Sequence, residues 1–132
     1  MLFYDKKWCK IYYYEELSCV HLDWCGFAKS DQFKEACDFS LELLRDKKVN
    51  KMIADNTKSK VVSVEDQKWL MEDWFPRAYE AGYRTSAVVV STDVFNKVAV
   101  KNIVNKMDKG KFVVQYFEKL DNAKIWIKKL KN

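Results

Sequence analysis

"TSAVVVS", Thr85–Ser91, is the stretch that decides the fold. From Ala87 to Val90 no polar residue interrupts the apolar run. A half-buried strand alternates apolar and polar side chains, whereas an unbroken β-branched run marks a central strand covered on both faces. Such strands belong to largely parallel sheets with helices between them.

The neighbours on both sides fit that arrangement. Downstream, residues 93–108 carry Phe95, Val98, Ala99 and Ile103 at helical spacing, and "KFVVQYFE" (Lys111–Glu118) reads as a further strand. The last helix starts after Asp121 as N-cap and places Ala123, Trp126, Ile127 and Leu130 along one side. Upstream, "SVEDQKWLMEDWFP" (63–76) opens a helix. Ser63 stands three residues before Asp66, as in a capping box, and Trp69, Leu70 and Trp74 lie near one face. Pro76 interrupts this helix or permits a new turn after Phe75, and Gly82 ends it.

Before that helix comes the strand "KMIAD" (Lys51–Asp55), followed by a polar loop, "NTKSKVV". Residues 31–47 form a helix with Ser30 as N-cap, and Phe33, Ala36, Cys37, Ser40, Leu41 and Leu44 make its buried stripe. "KIYYYE" (Lys10–Glu15) and "CVHLDWC" (Cys19–Cys25) are strands joined by Glu16-Leu17-Ser18 into an antiparallel hairpin, with an extra strand at Leu2–Lys6. Val20, Leu22 and Trp24 share one face of the second strand, and His21 and Asp23 share the other. The expected fold is therefore α/β: one domain over 1–132, a mixed, largely parallel five- to six-stranded sheet with four helices.

Composition sets the class. A chain of 132 residues, 48% hydrophobic and 15% aromatic, has the material for one sizeable core. No apolar run reaches the roughly 20 residues of a membrane span, and the N-terminus lacks the order of a signal peptide. A cytoplasmic location is the expectation. Cys9, Cys19, Cys25 and Cys37 contain no CxxC pair and have apolar neighbours, so they read as buried, reduced thiols. The net charge of +5 is spread along the chain, with one dense patch at Lys124, Lys128, Lys129 and Lys131. That patch complements the dipole of its own helix. With three arginines, Arg45, Arg77 and Arg84, nucleic acid is not an expected partner.

The motifs "WCGF" (Trp24–Phe27), "IAD" (Ile53–Asp55), "SVEDQKWLMEDWFP", "SAVVVS" and "NAKIWI" (Asn122–Ile127), in this element order, resemble the STAS superfamily. The closer likeness is to the bacterial stand-alone SpoIIAA-like branch, often grouped with lipid-binding CRAL-TRIO domains. The resemblance implies a STAS-like sandwich and a role in protein–protein regulation or ligand sensing. In anti-sigma-factor antagonists a serine at the start of the helix after the Asp-ending strand is phosphorylated, usually in an Asp-Ser pair. The matching region offers Ser59 and Ser63, which follow Lys58 and Val62 instead, and Ser63 precedes the acidic pair Glu65-Asp66. The cap is the competing role for Ser63.

Candidate chemistry is sparse. Any histidine-based triad must contain His21, which shares its strand face with Asp23, Cys19 and Cys25. No glycine-rich phosphate loop and no metal-ligand spacing occurs, so neither cofactor nor metal is expected. Tyr12, Tyr14, Tyr116 and Phe117 would suit a base-stacking sheet, but the element order is not that of an RNA-recognition motif. Trp69, Trp74 and Phe75, with the helix at 93–108, make a movable cover over an apolar crevice, or else simply fill the core. The expectation is a non-enzymatic regulatory or interaction module that binds an apolar small ligand or a protein partner, with a homodimer as an option and no membrane insertion. Its surface would comprise Asp55, Ser59, Ser63, Trp69, Trp74 and Phe75. The alternative is a small enzyme using the His21/Asp23 face.

Overall fold

The computed structural model describes residues 1–90 and 92–130. Ser91, at the end of the central run, and Lys131, in the basic patch, lie outside the described residues. Six strands form one sheet in the order β1-β2-β3-β4-β5-β6. They are β1 Leu2–Asp5, β2 Cys9–Tyr14, β3 Cys19–Gly26, β4 Lys51–Ser59, β5 Thr85–Val89 and β6 Val113–Phe117. Strand β2 runs antiparallel to both β1 and β3, and β3 to β6 run parallel.

The helices are α1 Ser30–Lys47, α2 Val64–Trp69, α3 Phe75–Glu80, α4 Val94–Lys106 and α5 Leu120–Lys129. A π-helical turn, Leu70–Trp74, joins α2 to α3, so that stretch is one continuous helix and the sheet carries four. Pro76 has no N–H to give to the preceding turn, and its ring crowds the carbonyl four residues back. The wider π turn directly before it takes up the mismatch, and the helix runs on.

Each parallel crossover moves one strand along the sheet in the same direction. Right-handed connections then leave α1, α2–α3 and α4 on one face. One apolar cluster there joins Val20, Leu22, Trp24, Met52 and Val88 of the sheet to Phe33, Leu41, Leu44, Leu70, Trp74, Val100 and Val104. On the opposite face Ala123 and Ile127 of α5 cover Cys19, Ile53, Ala87 and Val89. Strand β5 is thus buried on both faces, as its composition demands.

Three boundaries and one helix phase depart from the sequence reading. Strand β4 continues past Asp55 to Ser59, because beyond a bulge at Asn56–Thr57 its Lys58 and Ser59 pair with Cys25 and Gly26 of β3. Lys29, not Ser30, is the N-cap of α1; Gln32 accepts from its backbone N–H, and the Ser30 hydroxyl donates to Asp66. Helix α5 begins at Leu120 behind Lys119 rather than after Asp121. The phase of α4 also differs: its buried residues are Asn96, Ala99, Val100 and Val104, while Phe95 and Val98 are exposed.

Candidate functional site

Alternation along the strands sends the candidate residues to two separate places. Asp55 points to the α5 face with Ile53, whereas Trp74 and Phe75 belong to the cluster on the other face. The sheet therefore lies between Asp55 and the aromatic pair.

On the α5 face a buried polar network crosses three strands. His21 Nε2 lies 3.1 Å from Asp55 Oδ2, and His21 Nδ1 lies 2.8 Å from the Tyr14 hydroxyl. The Thr57 backbone N–H and hydroxyl both donate to Asp55 Oδ1, at 3.1 and 2.8 Å. Burial raises the Asp55 carboxyl, but the hydrogen bonds from His21 and Thr57 outweigh it and hold the pKa below its ordinary value. With Asp55 ionised, Nε2 is the donor, and in the neutral ring Nδ1 accepts the Tyr14 O–H. Tyr12 stacks on the imidazole at 5.4 Å. Both ring nitrogens are thus occupied.

Asp23 sits beside this network without joining it. It pairs in register with Asp55, its Oδ2 lies 3.4 Å from Lys58 Nζ, and its buried Oδ1 meets no partner among the described residues. The thiols do not join His21 either. Cys19 donates to the Val20 carbonyl and Cys25 to the Asp23 carbonyl. Burial pushes the Cys19 thiol up to about 12 and also raises Cys25. The sequence brought His21, Asp23 and the cysteines to one face; the partners of His21 are instead Asp55 and Tyr14.

The other face holds a cavity of about 100 Å³ between the sheet and the helices. Leu22, Trp24, Met52 and Val88 form its floor, and Trp74, Phe75, Val100, Ile103 and Val104 form its roof. The Trp74 indole donates to the Cys37 carbonyl at 3.0 Å, which fixes its ring as a wall. Polar groups are few: Ser86, paired with Tyr83, at one end and Asn56 at the other. A smaller recess shares Trp24, Phe33, Asn56 and Val62 with this cavity and extends to Ser59, Lys60 and Asp66.

The predicted site residues divide accordingly. Trp74 and Phe75 line the cavity, and Ser59 lines the recess. Trp69 is not a wall; it packs against Phe33, with Lys34 and Arg77 near its ring. Ser63 is exposed and caps α2, accepting from the Asp66 backbone N–H at 3.1 Å. Ser59 is 7% exposed; its hydroxyl donates to the Asn56 carbonyl and accepts from the Asn96 side-chain amide. Sequence reasoning passed over Asn56 and Asn96, both of them buried. A signal was present for Asn96: it stands three residues after the N-cap Asp93 and four before Val100, on the inward face of α4.

Among the described residues no group of three His, Cys, Asp or Glu side chains is placed to hold a metal ion. No described helix is long and apolar enough to cross a membrane. Comparison with protein-family models, with curated proteins and with solved structures gives no match.

Proposed function

We propose that this chain is a non-enzymatic binding module of STAS type, and that its ligand is a small apolar molecule held between the sheet and helices α1 to α4. The observation that carries the reading is the cavity itself. Well-packed interiors keep few voids larger than a water molecule, and an apolar space of about 100 Å³ ringed by aromatic side chains departs from that pattern. The order of strands and helices and the motifs quoted above support the STAS comparison.

Helix α4 is the cover. It presents Val100, Ile103 and Val104 to the cavity and Val94, Phe95 and Val98 to solvent. Ligands larger than the resting space would enter by lifting this helix, which exposes Val100 and Val104 unless the ligand's own apolar surface covers them.

The test is a toluene titration followed by tryptophan fluorescence, because Trp24 and Trp74 both line the space. A saturable change is expected, and Ala54→Leu, which fills the floor, abolishes it. The absence of any saturable response in the parent protein would refute the reading.

A second reading, action through a partner, draws on a different observation. Phe27, Val61, Val64 and Phe95 are exposed and all follow the carboxyl ends of β3, β4 and β5. Light scattering across a concentration series tests whether a second copy covers them. A mass that stays monomeric would exclude self-association.

A further inference from the structure

Strand β6 ends the sheet, so one of its backbone edges has no neighbouring strand among the described residues. The Val113 N–H donates to the Arg84 carbonyl, and the Phe117 carbonyl accepts from the Val90 N–H, so both residues turn their backbones toward β5. Alternate residues of a parallel ladder face opposite neighbours, which leaves Val114 and Tyr116 with N–H and C=O directed outward. The two edges of the sheet are guarded differently. At β1 the register slips between Leu2 and Tyr4, and Asp5, Lys6 and Lys7 bring charge to its end. Irregular register and charge are usual means of blunting an edge. Strand β6, VVQYF, pairs with β5 without a slip and contains no charge and no proline. Val113 and Tyr116 are exposed, one on each face of the sheet.

The positive charge of the chain collects beside this edge. Residues 94–130 carry nine lysines against three acidic residues, Asp108, Glu118 and Asp121, whereas residues 1–93 carry 14 basic against 16 acidic residues. None of those nine lysines forms an ion pair among the described residues. Helix α4 leads into β6, and Trp126 of α5 packs on Phe117 at 5.6 Å, so lysine-bearing helices flank the strand on both faces. Lys111 and Lys119, both exposed, stand two residues beyond its ends, and the Lys111 ammonium lies 5.1 Å from the Tyr79 ring. We infer that the β6 edge takes up a seventh strand from a partner protein, an extended segment with a β-branched centre and acidic residues at both ends. Backbone bonds to Val114 and Tyr116 hold it, and its apolar side chains cover Val113 and Tyr116. Its acidic ends meet Lys111 and Lys119 in either strand direction. A second copy of this chain is the wrong occupant. The two-fold pairing in which Val114 and Tyr116 exchange bonds sets Lys111 opposite Lys119 at both ends, and like charges directly opposite destabilise a strand pair. No residue of β6 lines the cavity, so this surface stands apart from the ligand site.

The test titrates three labelled probes with the intact chain. One is a blocked peptide of alternating valine and threonine with an aspartate–glutamate pair at each end. The second has lysine pairs at its ends instead, and the third is single-stranded oligothymidine. The readouts are affinity by fluorescence anisotropy and hydrogen exchange of the Val114 and Tyr116 amides by NMR. The acidic peptide is expected to bind about tenfold more tightly than the basic one, the worth of a few exposed ion pairs, and this advantage should fall with salt. It is also expected to slow exchange at both amides in step with saturation. In Lys111→Glu/Lys119→Glu, which leaves the strand backbone alone, the preference should reverse in favour of the basic peptide. Tyr116→Pro removes an N–H that β5 does not use and should weaken the acidic peptide about tenfold. Should that proline unfold the edge, the charge reversal decides by itself. Equal binding of the two peptides, or no binding of either, would overturn the inference. Acidic-peptide binding that leaves both amides exchanging freely would overturn it as well. Oligothymidine binding as tightly as the acidic peptide would reduce the surface to a general anion site and overturn strand addition. Slow exchange at both amides without peptide, deepening with protein concentration, would overturn it in favour of a second copy.

Discussion

The Asp55 carboxylate shows how much one buried charge depends on its partners. Its folded pKa is held below the ordinary value by His21 and Thr57 against the opposing effect of burial. A depressed carboxylate pKa adds stability that is complete above the unfolded value, about 3.9. That stability is lost as the pH falls through the folded value. Urea unfolding between pH 6 and pH 3 should therefore show a steeper acid loss for the parent than for Asp55→Asn. The variant itself should be less stable at pH 6, by about 1–3 kcal/mol for the disturbed buried network. Parallel profiles for the two proteins would show that Asp55 contributes nothing to the acid limb. Ser63 supplies a second single-residue measurement. Ser63→Ala should lower stability by about 1 kcal/mol through loss of the bond to the Asp66 N–H, and Ser63→Asp should retain most of it. The cap was readable from the serine–aspartate spacing. The Asp55–His21 bond was not, because a pairing across strands 34 residues apart leaves no local pattern.

At the scale of the element, α4 is where reading and structure part most clearly. The sequence put Phe95 and Val98 on the buried side, since large apolar side chains normally mark it. The structure turns the helix so that Asn96, Ala99, Val100 and Val104 face inward. Two bonds set this phase: Asp93 caps the helix at the Asn96 backbone N–H, and the Asn96 side chain reaches Ser59. Neither is visible in hydrophobic periodicity, which counts an inward asparagine as evidence for the wrong face. Chemical denaturation separates the two phases. Phe95→Ser should change stability by no more than about 0.5 kcal/mol, as for an exposed site. Val104→Ser should cost about 2 kcal/mol or more, because it removes buried methyls and buries a hydroxyl. The reverse ranking would restore the phase read from the sequence. Strand β4 teaches a related lesson. Its last four residues, Asn56–Ser59, have a loop composition, yet pairing with β3 extends them, and the extension carries Asn56 to the cavity and Ser59 to the adjoining recess.

Across the whole molecule, the two faces of the sheet are covered unequally. Three helical segments shield one side, while α5, with Leu17 from the turn between β2 and β3, shields the apolar part of the other through Ala123 and Ile127. Cys19 reports on that cover, since it is fully buried beneath it and its thiol is pushed up to about 12. Native protein should react with a thiol reagent mainly at Cys25, the half-buried cysteine, with the remaining three reacting only in denaturant. Ile127→Ala should open α5 and bring Cys19 into the reactive set while Cys9 and Cys37, on the opposite face, stay protected. If Cys9 reacts as fast as Cys19, the opening is global and α5 is no separate flap. The layered architecture itself was open to sequence reading, because unbroken apolar strands alternating with amphipathic helices admit few alternatives. Which face each helix takes follows from handedness, and the cavity follows from details of packing that no periodicity encodes.

In this sheet the neighbours in space are also neighbours in the chain: β1 to β6 lie in sequential order, and no strand is inserted between two that are already paired. Every pairing can thus be completed as soon as the second of its strands has left the ribosome. The growing edge always waits for the segment that comes next, so synthesis and assembly can proceed in step from the N-terminus. Helix α5 follows all six strands in the chain, and until it docks, Cys19, Ile53, Ala87 and Val89 stand uncovered. The nascent sheet is consequently most prone to sticking between the emergence of β6 and the docking of α5.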